Sequence, residues 1–89
     1  MPVLSLFYGI VIRMYREPDV RHHVPHIHAE YQGSEAVFDF DGNILEGKIP
    51  NKQSGLVKAW ISIHEEDLKA NWNLLNGDDA TYFKIPPLQ

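Results

Sequence analysis

The sequence contains no cysteine, which excludes disulfides and every zinc site built on thiolates. It is also short of basic residues: eight lysines and arginines stand against twelve carboxylates, for a net charge of −4. General electrostatic attraction to nucleic acid is therefore not expected. No apolar run approaches the roughly 20 residues of a membrane-spanning helix. The opening "MPVLSLFYG" lacks a positive stretch and a small-residue cleavage site, so a signal peptide is not expected. Together these absences point to a soluble, cytoplasmic protein. No repeat or low-complexity tract divides the chain of 89 residues, which fits one domain, 1–89.

What charge there is lies unevenly. Residues 1–31 balance Arg13, Arg16 and Arg21 against Glu17, Asp19 and Glu30, while residues 32–89 supply the whole negative excess. Any nucleic-acid site would therefore have to lie in the N-terminal third. That third also holds four of the five histidines, His22, His23, His26 and His28.

Elements follow from periodicity and turn chemistry. "FYGIVIRMYR", Phe7 to Arg16, is β-branched and aromatic and reads as one strand, with Tyr8, Ile10, Ile12 and Met14 on one side. Phe7, Gly9, Val11, Arg13 and Tyr15 take the other. A loop with two prolines spans 17–25, and His26 to Tyr31 forms the next strand. Gln32-Gly33 and Asp41-Gly42-Asn43 are hairpin turns, framing the alternating "SEAVFDF"; "ILEGKI" follows as a fourth strand.

Beyond Pro50, the residues Val57, Trp60, Ile61, His64, Leu68, Trp72 and Leu75 recur at helical spacing, up to a stop at Asn76-Gly77. The expected fold class is α+β: an antiparallel four-stranded meander with one long amphipathic helix packed on one face. The tail "TYFKIPPLQ" is apolar enough to add a short C-terminal edge strand, with Pro86-Pro87 blocking further pairing. His64, inside the apolar stripe, is expected to be a core histidine with a hydrogen-bond partner. The run Glu65-Glu66-Asp67 reads as a solvated helix flank.

Strand alternation places His26, His28 and Glu30 on one face if Ile27, Ala29 and Tyr31 face the core. Same-face neighbours are about 7 Å apart, a span two imidazoles can bridge to one cation. His26 and His28 are therefore candidate ligands of a zinc-like divalent metal, with Glu30 as an oxygen donor and His22 or His23 folding back as a further ligand. No other cofactor is expected. The same face also reads without metal. Arg13, Tyr15, His26, His28, Glu30 and Asp39 can meet on it, and metal-independent RNA cleavage needs a base, an acid and a cation for the phosphate. The candidate catalytic residues are His26, His28, Glu30 and Arg13. The bland alternative is equally physical: a sheet covered on one side leaves polar residues facing solvent on the other.

The opening "FYGIVIRMY", the block "PHIHAEYQG" from Pro25 to Gly33, "AVFDFDG", "ILEGKIP" and the helix "LVKAWISIHEEDLKANW" resemble the small bacterial proteins grouped as domain of unknown function 4160. The resemblance implies a bacterial cytosolic protein of unknown biochemistry. It further implies a small protein partner of the domain of unknown function 2442 type, in a two-gene, toxin–antitoxin-like module, with RNA as a weaker expectation. Arg21-His22-His23 departs from the family pattern. Three function classes follow: a toxin-like or regulatory component using the His/Glu/Arg face, a non-enzymatic protein-binding module, and a metal-binding protein. The apolar tail and open sheet edges can also pair two chains, so a homodimer is an option.

Overall fold

A computed structural model describes residues 3–16 and 24–89. The architecture is α+β: five antiparallel strands in sequence order, then two helices. The strands are β1 (Val3–Phe7), β2 (Ile10–Arg13), β3 (His26–Tyr31), β4 (Ser34–Asp39) and β5 (Ile44–Gly47). The helices are α1 (Asn51–Ile63) and α2 (Glu65–Leu75).

The fifth strand arises where one strand was expected. Phe7 pairs with Ile10 across Tyr8 and Gly9, whose φ values of 50° and 77° make a two-residue hairpin turn. Gly9 therefore ends a strand rather than continuing one. Tyr8 projects at 60% exposure, while Ile10, Ile12 and Met14 are fully buried as the alternation requires. Gln32-Gly33 makes the same kind of turn between β3 and β4, with Tyr31 facing Ser34.

Register then sorts the sheet. Ile12, Ala29 and Ala36 form one rung and Ile27 with Phe38 another, all buried. Against this face pack Val57, Trp60 and Ile61 of α1 and Leu68 and Leu75 of α2. Removing a side chain of this size from water contributes about 2–3 kcal/mol, so this one layer supplies most of the fold's driving force.

The expected single helix is broken at His64, whose φ and ψ of −113° and 25° leave the helical region. The acids Glu65, Glu66 and Asp67 occupy the first turn of α2, where negative charge offsets the helix dipole. They are a helix start, not only a solvated flank. His64 is half-buried at this joint; its Nδ1 lies 3.8 Å from Asp67 Oδ2, too long for a hydrogen bond. The break also turns the buried stripe of α2, so that Asn71 is fully buried while Trp72 is only partly so.

The tail forms no strand. Residues 81–89 instead form a strap outside any strand or helix, with Lys84–Pro87 beside Val3–Leu6 of β1. One backbone bond joins them, Ile85 N–H to the Leu4 carbonyl at 2.9 Å. Trp60 Nε1 donates to Pro86 O at 2.9 Å. Asn71 grips Phe83 twice, donating to its carbonyl at 3.0 Å and accepting from its N–H at 2.8 Å. No described helix is long and apolar enough to cross a membrane.

Candidate functional site

The face of the sheet away from the helices carries two adjacent rungs. Val11, Glu30 and Glu35 stand on one, and Arg13, His28, Val37 and Glu46 on the next. Hairpin geometry dictates this: the two-residue turn at Gln32-Gly33 fixes Glu30 opposite Glu35. Like charges directly opposed are destabilising. Each glutamate is relieved by a cation or an imidazole from the neighbouring rung. Arg13 Nε donates to Glu30 Oε2 at 2.9 Å. His28 Nδ1 lies 2.8 Å from Glu35 Oε2.

An ionised carboxylate only accepts, so in the His28–Glu35 bond the imidazole Nδ1 is the donor. Tyr15 sets its ring edge-on to His28, with centroids 4.6 Å apart. The Arg13 and His28 side chains retain 24% and 16% exposure, so both are reachable from solvent.

His26 shares the phase of His28, and their rings lie 5.3 Å apart. It is not a solvent-facing histidine, however, being only 1% exposed. Its Nδ1 lies 2.8 Å from the Val24 carbonyl, and its ring rests 5.3 Å from that of Trp72. Trp72 in turn meets Phe40 edge-on at 6.3 Å. His26 thus closes the end of the sheet against α2, where the broken helix delivers Trp72. The expected polar face is solvent-facing at Glu30 and Glu35 but closed over at His26 and Val37.

Asp39, placed by alternation on the same face, builds a turn. Its Oδ1 accepts from the N–H groups of Asp41 and Asn43 at 2.9 and 2.8 Å, and its Oδ2 from Asn43 Nδ2 at 3.2 Å. The structure therefore brings Arg13, Glu30, His28 and Tyr15 together and adds Glu35, which alternation alone did not single out. The signal for Glu35 was present in the turn: a two-residue loop after Tyr31 puts Glu35 diagonal to His28.

A metal would fall to His26 and His28. Both hold Nδ1 on an oxygen, the usual outer support of a ligating histidine. Among the described residues, no group of three or more His, Asp or Glu side chains converges on a metal-binding geometry. His22 and His23, the expected further ligands, lie outside the described residues.

A family model described as a domain of unknown function (DUF4160) matches residues 9–73. That span contains Arg13, His26, His28, Glu30 and Glu35, and so the whole candidate face. Neither a curated protein nor a solved structure matches the chain.

Proposed function

The chain belongs to the DUF4160 family, and on that premise we propose that it is a partner-binding, regulatory component of a two-gene, toxin–antitoxin-like module, docking its partner on the face of Arg13, His28, Glu30 and Glu35. The observation that carries this reading is the mutual pairing of the face. The ion pair of 2.9 Å between Arg13 and Glu30 and the hydrogen bond of 2.8 Å between His28 and Glu35 join four polar side chains across the sheet. A pre-ordered charged template of this kind loses little side-chain entropy on binding and selects partners by charge pattern. Arg13 spends one of its five donors on Glu30, leaving others for a partner carboxylate.

The partner suggested by family resemblance is a small protein of the domain of unknown function 2442 type, encoded beside this one. Titration calorimetry between the two purified proteins tests the reading. A complex that weakens at least tenfold with Glu35→Gln, at an exposed position, or with Arg13→Ala, at a partly exposed one, supports it. Binding that ignores both substitutions, or no binding, removes it.

The His28–Glu35 contact favours a second reading, an RNA-directed acid–base activity. A carboxylate that fixes the tautomer of a histidine is the arrangement by which a general base is oriented. In that reading His28 moves the proton, Arg13 meets the phosphate and Glu30 holds Arg13 in place. The acidic balance of the chain opposes it, since RNA-binding surfaces are usually basic. Growth inhibition on expression that is relieved by the neighbouring gene and abolished by His28→Ala would favour this second reading. A tight complex without toxicity would favour the first.

A further inference from the structure

We propose that two copies of this protein exchange their straps, residues 81–89 of each seating on β1 of the other. The strap belongs to no strand or helix, yet it is specifically anchored. Its anchor partners are Leu4, Trp60 and Asn71, spread over β1, α1 and α2. Ile85 is 2% exposed and joins the apolar core. Every one of these contacts is re-formed unchanged when the strap comes from a second copy, which is the condition for swapping.

The linker that returns the strap is where the closed form stores strain. After Leu75 only 76–80 separate α2 from the strap, and Phe83 must come back beside Asn71 of the same helix. Gly77 and Ala80 close this reversal through bonds to Leu74 O and Gly77 O at 3.2 and 3.3 Å. Ala80 adopts a φ of 49°, a left-handed conformation unfavourable to a residue with a Cβ. Short hinge loops under strain invite exchange. An opened linker releases Ala80 to an ordinary conformation while losing none of the anchors.

Beside the seated strap an open groove of about 450 Å³ remains, lined by Val3–Leu6 and Lys84–Pro87. The occupant of the exchanged seat is a second copy, because the segment that fits the anchors at Leu4, Trp60 and Asn71 is the strap that every copy carries. Its backbone contact is also suited to one strap and no more. Pro86 and Pro87 have no N–H to donate, so the strap cannot zip into a full ladder that would seed open-ended association.

The absence of cysteine makes the test clean. Leu6 is 63% exposed and Lys84 lies on the exposed strap, so Leu6→Cys and Lys84→Cys leave the core untouched. The two single variants are mixed at high concentration, equilibrated through mild denaturant, and treated with a short bismaleimide. Exchange predicts a covalent pair joining one copy of each variant, and a light-scattering mass of twice the 10.2 kDa chain. Ala80→Gly, which relieves the strain of the closed form, should shift the equilibrium toward monomer by on the order of tenfold per strap. A monomer at every concentration overturns the proposal. So does a dimer in which the Leu6→Cys/Lys84→Cys double variant cross-links only within one chain.

Discussion

Replacing Gly47 by alanine should disable the candidate face from a distance. Gly47 sits in β5 opposite Ala36 with a φ of 77°. An added Cβ would lie 2.2 Å from the Glu35 carbonyl oxygen, well inside the 3.0 Å that real Cβ contacts respect. The atom in the way is backbone, so β5 must move from β4 by at least about 0.8 Å, the difference between those two distances. That displacement breaks the Lys48 N–H to Glu35 carbonyl bond of 3.0 Å and weakens the neighbouring ladder.

The left-handed conformation costs about 1–2 kcal/mol with a Cβ present, and two or three backbone bonds cost about 1 kcal/mol each. The expected loss is roughly 3–5 kcal/mol, a large share of a small domain's stability. Gly33→Ala is the matched control. Its φ of 83° is nearly the same, but nothing lies within 4 Å of the added Cβ, so it should lose only about 1 kcal/mol. Urea unfolding measures both. The His28 imidazole resonances report whether the contact with Glu35 survives in folded Gly47→Ala. Equal losses in the two variants, within about 0.5 kcal/mol, would refute the steric argument.

Three further outcomes are expected. Ser5 Oγ is buried without a hydrogen-bond partner among the described residues, so Ser5→Ala should be neutral or stabilise the fold by about 1 kcal/mol in urea unfolding, and a loss above 1 kcal/mol would show that the hydroxyl is satisfied. Asn71→Ala removes both bonds to Phe83 and should cost about 2–4 kcal/mol, with amide exchange at Phe83 rising ahead of exchange in β3; unchanged protection there would mean the strap is held without Asn71. If His26 and His28 hold a zinc-like metal, untagged protein purified without chelating resin carries close to one metal per chain, and His26→Ala/His28→Ala loses it. Metal-free starting protein would end that reading.

The sequence carried much of the fold through alternation. Ile10, Ile12, Ile27 and Phe38 lie where their phases put them, as do Val57 and Trp60 on the helical stripe. What it hid were points where one residue has two uses. Gly9 reads as a tolerated glycine inside a β-branched run, and only the pairing of Phe7 with Ile10 makes it a turn. The apolar stripe runs through His64 without interruption, because three- and four-residue spacing survives a one-residue break. Asn71 is polar and was invisible as a core residue until the strap supplied the backbone groups it bonds.

The candidate face was legible as a set of side chains sharing a phase, but not as pairs. Arg13 with Glu30 and His28 with Glu35 are diagonal contacts, which depend on register. His26 has the phase of a surface residue and the burial of a core one. Alternation along a strand says nothing of a helix that reaches over the sheet's end.

The helix joint also gives the molecule its own optical reporters. Each of the two tryptophans has a histidine ring beside it: Trp60 with His64 at 5.5 Å, Trp72 with His26 at 5.3 Å. The two indoles sit in separate surroundings, so the fluorescence of the native protein reports on two separate places. Trp60 lies under the strap and reads its seating through the Pro86 bond, whereas Trp72 reads the end of the sheet beside the candidate face. Replacing either tryptophan by phenylalanine isolates the other, and with it one half of the molecule, without attaching a dye.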